Sequence, residues 1–474
     1  MTLPAKFVER VLRDLGGTEG AALCAALDAE PPVSVRLNPA KTGADTLPAG
    51  PDAGLPVPEA AGLPALAIAG RVPWSRDGRY LAVRPSFTLD PDFHAGAYYV
   101  QEASSQFVGH LLAAVRTEGA RILDLCAAPG GKTTLYASLA GPDGLVVANE
   151  IDRRRASVLA DNVRKWGTGN VAVTTCEPRA LGGFEAWFDV VAVDAPCSGE
   201  GMFRKDPDAR GEWSEGNVKQ CAARQDEILR EAWRALRPGG TLVYSTCTFN
   251  RDEDEGALER MAAWAGDEIA ESEETAVEDA WGIVCGRVGA FRTFRFYPHR
   301  TCGEGFFAAV ARKSFDAGGR VRTPKARRTV FAAVDRKTAG ELARWVRNPG
   351  GMHFAAVADT CYAWYAAQAD AVRTLSEALP VIYSGVALGQ VFKGVLKPDP
   401  ALAFFDGLNR GALPAAELDD EETLRFLRRQ DIAAGGLAEG MNLVCSRGRA
   451  LGFAKRIGAR VNNLYPNSLR IIKQ

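Results

Sequence analysis

Apolar positions in the middle of the chain gather into short runs, and the segments between them carry helical spacing. Ile122 to Cys126, Leu145 to Asn149, Val171 to Thr175, Val190 to Asp194 and Thr241 to Thr246 read as strands. Arg153 to Lys165 and Asn217 to Leu236 read as helices between them, and Leu236-Arg237-Pro238-Gly239-Gly240 as a helix stop followed by a turn. Strand alternating with helix predicts an α/β fold built on a doubly wound, mostly parallel sheet. Gln101 to Val115 is expected as a helix packed ahead of the first strand, and Gly305 to Val310 as a closing strand, so that this domain ends near Lys313.

Toward the ends the pattern changes. Phe7, Val8, Val11, Leu12 and Leu15 recur at helical spacing and Val33 to Leu37 alternates as a strand, which predicts a small α+β module over residues 1–95. Lys41 to Gly70, rich in Gly, Pro and Ala, reads as loops. After the large domain (96–313), Ser314 to Thr329 lacks periodicity and reads as a linker, followed by a helical middle segment that includes Ala339 to Val346. Val381 to Val395 alternates around Gly385, Gly389 and Gly394, as short strands of a compact β module would, so residues 314–378 are expected as linker and helices and 379–474 as a β-rich module.

Composition adds bounds. At 474 residues the chain holds two to four domains of roughly 150 residues. A net charge of -1 announces no polyanionic partner for the chain as a whole, so the distribution of charge matters more. Arg71, Arg76, Arg79 and Arg84 interleave with Trp74, Tyr80 and Phe87, a pattern equally suited to nucleic acid and to a solvated basic face. Asp252 to Glu255 and the seven acids between Asp267 and Asp279 read as a solvated face turned from any polyanion. From Met441 to Gln474 seven cations (Arg447, Arg449, Lys455, Arg456, Arg460, Arg470 and Lys473) face no carboxylate side chain, which suits a phosphate backbone. Ten scattered cysteines and no leader-like start point to a reduced, cytoplasmic setting, and no apolar run of about eighteen residues suggests a membrane span. With four histidines, no Cys-x-x-Cys and no His-Glu-x-x-His, no metal is expected.

The candidate chemistry centres on Arg121 to Thr134. Its first half is of strand type, Pro129-Gly130-Gly131 forces a turn, and a helix-compatible segment follows, giving a strand-loop-helix nucleotide site. A phosphate-binding loop would need glycine where Cys126 stands, which leaves a dinucleotide fold or an S-adenosylmethionine fold. Glu150, twenty residues past Gly130, is placed for a ribose in either.

Two expected strand ends carry thiols, Cys197 in Asp194-Ala195-Pro196-Cys197 and Cys247 in Ser245-Thr246-Cys247-Thr248. Ligands of open parallel sheets bind outside the carboxyl ends of strands, so both would face the cofactor crevice. A methyltransferase for carbon 5 of cytosine has use for two thiols. One, as thiolate, adds to carbon 6 and makes carbon 5 nucleophilic; a second exchanging group helps remove the carbon 5 proton and release the product. Asp194 is placed to hydrogen-bond the ring edge, and Lys132 or the cofactor's sulfonium to favour the thiolate.

At these motifs the chain resembles the NOL1/NOP2/Sun family of RNA 5-methylcytosine methyltransferases, and most closely its bacterial ribosomal, RsmF-type branch. The resemblance rests on Cys126-Ala127-Ala128-Pro129-Gly130-Gly131-Lys132, on Asp194 to Gly201, on Ser245 to Phe249, and upstream on Phe93 to Ser105. It implies a Rossmann-like S-adenosylmethionine-dependent domain between an N-terminal module and a PUA-like RNA-binding module, with Cys247 as nucleophile and Cys197 aiding release. It also implies cofactor contacts from Cys126, Ala127, Ala128, Pro129, Gly130, Gly131, Lys132, Glu150, Glu177 and Asp194. Glu177 stands where the family usually has aspartate before glycine. The expected partner is RNA, 16S rRNA or the small ribosomal subunit, met by a monomer. The rivals are a transfer RNA methyltransferase, a noncatalytic RNA-binding assembly factor, and a nicotinamide oxidoreductase, which would want Gly-x-Gly-x-x-Gly.

Overall fold

The computed structural model describes residues 2–43 and 63–473. The expected loops of Lys41 to Gly70 lie largely outside the described residues. Two helices, Ala5–Leu15 and Gly17–Ala26, open the chain, and the first buries Phe7 and Val11, two of the apolar positions at helical spacing. Strands β1 (Val33–Leu37), β2 (Ile68–Arg71), β3 (Gly78–Leu81) and β4 (Tyr98–Tyr99) then form an antiparallel sheet in the order β2-β3-β1-β4. The segment expected as one helix from Gln101 to Val115 is shorter, a 3-10 turn at Ser104–Gln106 running into the helix Phe107–Ala113. Gln101 is held outside it because its side chain accepts from Arg36.

Five strands form the parallel centre of the large sheet: β5 (Arg121–Asp124), β6 (Leu145–Asn149), β7 (Val171–Thr174), β8 (Phe188–Asp194) and β9 (Leu236–Thr246). Their order is β9-β8-β5-β6-β7, so the chain winds outward from β5 through β6 to β7 and then crosses to β8 and β9. That reversal between β5 and β8 opens the crevice in which ligands of this architecture sit. Apolar residues along each strand are sorted alternately to two cores: Leu123, Val147, Val191 and Leu242 lie in one, Ile122, Val146, Val190 and Val243 in the other. Strands covered on both faces need this near-continuous apolar character. The expected turn at Leu236 to Gly240 is instead an irregular start of β9, where Phe188 pairs with Leu236 and Val190 with Thr241, so that Arg237 to Gly240 bulge out opposite one residue.

The sheet is extended by antiparallel strands. β10 (Ile269–Ala270), β11 (Val284–Val288), β12 (Phe291–Phe296) and β13 (Phe306–Lys313) add to the β9 edge. Beyond them Ser314 to Thr329 holds no helix or strand, as a linker would, and two helices follow within 314–378, Arg336–Ala343 near the expected position and Ala369–Ala378. The segment is not linker and helices alone, because β14 (Ala332–Ala333), β15 (Met352–Val357) and β16 (Thr360–Tyr365) also lie there. Nor do residues 379–474 form one self-contained β module. β17 (Val381–Ser384) pairs with β7 of the large sheet, whereas β18 (Val386–Phe392) and β19 (Val395–Pro398) join the sheet begun by β14, β15 and β16. Gly385, at φ +58°, allows the chain to change sheets, and a Cβ there would meet the Ala363 carbonyl at 2.4 Å. The last sheet holds β20 (Ala415–Glu417), β21 (Gly440–Ser446), β22 (Arg449–Ile457) and β23 (Arg460–Asn463). No helix among the described residues is long and apolar enough to cross a membrane.

The charged tracts also part from expectation. Glu253 and Asp254, expected on a solvated face, are fully buried, because Ser198, Gln225 and Asn250 converge on the first and Arg295 on the second. Of the seven cations near the carboxyl end, Arg447 pairs with Asp90, Asp92 and Asp420, Arg449 pairs with Asp92, and Arg456 donates to the carbonyls of Ala434 and Leu437. Lys455, Arg460, Arg470 and Lys473 remain exposed, with no carboxylate partner among the described residues.

Candidate active site

β5 ends at Asp124, and the glycine loop runs from Leu125 into the helix Gly131–Ala140. Gly130 takes φ +110°, a conformation side chains rarely adopt, and a Cβ there would press on Leu159 at 3.0 Å. Side chains from outside hold the loop's carbonyls. Arg155 donates to Ala128 O at 3.0 Å, Asn162 and Tyr99 donate to Pro129 O at 2.8 and 3.1 Å, and Arg36 donates to Gly131 O at 3.1 Å. The loop is therefore set by three elements at once.

Three carboxylates stand at the strand ends around it. Glu150, directly after β6, is 4% exposed, accepts from Asp152 N at 3.0 Å and pairs with Arg155 at 3.2 Å. Asp124 is 1% exposed; its Oδ2 accepts from Thr133 Oγ1 at 2.6 Å while its Oδ1 has no partner among the described residues. Burial pushes the Asp124 carboxyl up to about 7 despite the Thr133 hydroxyl, with Asp194 and Glu150 adding to the rise. Asp194, the last residue of β8, accepts from Ser245 Oγ at 2.8 Å and pairs with Lys132 Nζ at 2.8 Å. Burial alone would lower the Lys132 ammonium, but Asp194, Asp124 and Cys247 outweigh it and raise its pKa. Cys126, between these groups, is pushed well up by burial and then by Asp124, Asp194 and Glu150.

The two thiols meet. Asp194 pairs with Ser245 across β8 and β9, so three further residues on one strand and two on the other bring Cys197 Sγ within 3.3 Å of Cys247 Sγ. The hydrogen bond with Cys247, and then burial, hold the Cys197 thiol well above its ordinary pKa. One buried carboxylate fixes both loops: Glu253 accepts from Ser198 N at 3.0 Å, from Gln225 Nε2 at 2.9 Å and from Asn250 Nδ2 at 2.7 Å. Gln225 also donates to Pro196 O at 3.0 Å, and Asn250 to Thr248 Oγ1 at 2.8 Å. Gly201 N donates to Cys247 O at 2.8 Å, an approach that a Cβ at Gly201 would block at 2.9 Å.

The crevice thus gathers Cys126 to Lys132, Glu150, Asp194, Cys197 and Cys247. Glu177 stands apart, exposed at the start of the short helix Pro178–Gly182, with no side-chain capping bond. Sequence reasoning missed Arg36, Arg155, Gln225, Asn250 and Glu253. The one available signal was Asn250 three residues before Glu253, a spacing at which an Asn side chain caps a turn, as Asn250 Oδ1 does in accepting from Glu253 N at 3.0 Å. Among the described residues no group of three or more His, Cys, Asp or Glu is arranged to hold a metal ion. The set of acceptors does fit S-adenosylmethionine: its two ribose hydroxyls and its ammonium can donate to carboxylates and its sulfonium is attracted by their charge, and Asp124 Oδ1 has no donor among the described residues.

A five-stranded parallel centre, a glycine loop at its switch point and carboxylates at the neighbouring strand ends define a Rossmann-like, S-adenosylmethionine-dependent methyltransferase. The chain matches the family model described as 16S rRNA methyltransferase RsmB/F over residues 111–312. It also matches the N-terminal domain of 16S rRNA methyltransferase RsmF over 3–103 and the methyltransferase RsmF PUA domain over 414–471. Proteins named ribosomal RNA small subunit methyltransferase F from Shewanella loihica and Escherichia coli O81 are each 32% identical to it, covering 84% of this chain and 83% and 84% of their own. A solved methyltransferase homolog protein from Pyrococcus horikoshii is 27% identical, with a TM-score of 0.53 over 65% of this chain and 94% of its own. NSun6 from the same organism, solved with SFG, shares the fold at 21% identity, with a TM-score of 0.53 over 65% of this chain and 98% of its own. The chain belongs to the ribosomal RNA small subunit methyltransferase F family.

Proposed function

We propose that the chain methylates carbon 5 of a cytosine in 16S rRNA, using S-adenosylmethionine, Cys247 as nucleophile and Cys197 to aid release. The observation that carries the reading is the 3.3 Å approach of the two thiols beside Asp194 and Lys132. When bound, S-adenosylmethionine supplies an electrophilic methyl group on a sulfonium. The residues proposed to hold it are Cys126 to Lys132 through the glycine loop, Glu150 at the ribose, and Asp194; the exposed Glu177 is proposed for the adenine end.

Cys247, as thiolate, adds to carbon 6 of the ring and leaves carbon 5 electron-rich enough to accept a methyl group. Lys132 favours the thiolate electrostatically, and Asp194 accepts hydrogen bonds from the ring edge, stabilising the adduct. Once carbon 5 is methylated, its remaining proton must leave; the freed electron pair restores the 5,6 double bond and expels the Cys247 sulfur. Cys197 is proposed to exchange that proton, because its sulfur lies 3.3 Å from that of Cys247. The target base must be unstacked to reach the crevice. We further propose that the protein acts in the cytoplasm as a monomer.

The test is a pair of variants on 16S rRNA with labelled cofactor. Cys197→Ala should accumulate a covalent RNA adduct, while Cys247→Ala should give neither adduct nor product. An adduct formed only through Cys197 would reverse the assignment, and label appearing only in transfer RNA would change the substrate.

A further inference from the structure

Between the N-terminal module and the helix Arg153–Trp166 lies an open cleft of about 300 Å³ that the proposed chemistry leaves unused. Its walls include Phe87, Phe93, Tyr99 and Trp166 together with the cations Arg84 and Lys165, and no carboxylate lines it among the described residues. Arg84 lies over the Phe87 ring at 5.5 Å and Lys165 over Phe93 at 4.4 Å. Neither cation has a carboxylate within ion-pair distance among the described residues. Burial lowers the Lys165 ammonium to about 8, so an arriving anion would relieve a desolvated charge.

The charge separates this cleft from the methyl-donor crevice. That crevice offers buried carboxylates to a ligand carrying two positive charges, whereas this cleft offers cations and ring faces, which suit a flat base attached to a phosphate. Its volume is at the small end of the range of about 300 to 1,000 Å³ usual for small-molecule sites, room for one nucleotide but not for a duplex. It also touches the glycine loop, because Tyr99 and Asn162, both in its lining, donate to Pro129 O. Of the cations and aromatics interleaved from Arg71 to Phe87, Trp74 and Arg79 are buried, while Arg84 and Phe87 are the pair presented here.

We propose that this cleft is a second nucleotide site, taking one unpaired nucleotide of the substrate RNA with its base among Phe87, Phe93 and Tyr99 and its phosphate toward Lys165 and Arg84. The proposal rests on the reading of the chain as an RNA methyltransferase. It places the strand across the N-terminal module beside the glycine loop, whose Pro129 O is held by Tyr99 and Asn162.

The test uses the full chain and single-stranded RNA oligonucleotides taken from its methylated substrate. Ultraviolet crosslinking and mass spectrometry should find nucleotide adducts on Phe87, Phe93 or Tyr99. In steady-state kinetics Phe87→Ala and the exposed Arg84→Ala should raise the KM for RNA about tenfold. The kcat and the cofactor dissociation constant should stay unchanged, and Phe87→Trp should restore the KM. Crosslinks confined to other surfaces, or an unchanged RNA KM in variants that still methylate, would overturn the proposal. Crosslinks in the cleft without any methyl transfer would uphold it as a nucleotide site and sink the methyltransferase reading instead.

Discussion

Arg36 donates to Gly131 O at 3.1 Å and to Thr134 Oγ1 at 2.6 Å, so a residue of the N-terminal sheet grips the first turn after the glycine loop. The guanidinium is fully buried, lies over the Trp166 ring at 4.4 Å and donates to Gln101 Oε1 at 2.7 Å. Such a residue acts through the loop it holds and not on reacting atoms. Arg36→Met should weaken S-adenosylmethionine binding about tenfold, the loss of roughly one charge-assisted hydrogen bond, with Arg36→Lys in between. Calorimetry on the folded variants measures this; cofactor affinity equal to wild type would refute it.

The Asp124 carboxyl, near 3.8 in an unfolded chain, stands at about 7 in the fold. Its contribution to stability is therefore complete below the unfolded value and is lost as pH rises through about 7, where the folded protein must ionise a buried acid. Asp124→Asn, which still accepts from Thr133, should raise the melting temperature of the ligand-free protein near pH 8 and leave it little changed near pH 4. A variant destabilised equally at both would show that the carboxylate is stabilising.

If Asp124 faces the positive charges of the cofactor, binding should draw its proton off. Cofactor affinity is expected to rise with pH up to about 7 and then level, with proton release. Calorimetry in buffers of different ionisation enthalpy would detect that release. None at any pH would separate Asp124 from the cofactor.

Glu253 joins the Cys197 and Cys247 loops through Ser198, Gln225 and Asn250. Glu253→Gln replaces an acceptor with a donor opposite two amide groups and a backbone N–H, which should cost about 1–3 kcal/mol of stability and spread the thiols. Adduct formation by the Cys197→Ala background should slow at least tenfold when Glu253→Gln is added, measured on gels with excess RNA. Unchanged rates would confine Glu253 to a packing role.

At the carboxyl end, charge reversal of Lys455 and Arg460 should weaken RNA binding and shallow its salt dependence by about one unit of slope for each phosphate no longer neutralised. Arg447→Ala should act differently, lowering the melting temperature by removing one cationic partner from each of Asp90 and Asp92, both nearly fully buried. Equal effects of the two on RNA binding alone would count against this division.

What the linear chain determined was whatever depends on local periodicity and on motif spacing. The five parallel strands, the glycine loop from Cys126 to Lys132, Glu150 at its fixed distance, and thiols at the ends of β8 and β9 were legible because each follows from a few adjacent residues. Tertiary structure decided which distant groups share a space. No local pattern shows that Glu253, in an acidic run, turns inward to Ser198, or that Arg447 meets Asp92 across more than three hundred residues. Nor does it show that β17 leaves its own module to pair with β7. Burial and pairing depend on what the rest of the fold brings to a residue, and an acidic or basic stretch has the same local pattern whether it is solvated or clasped against a partner.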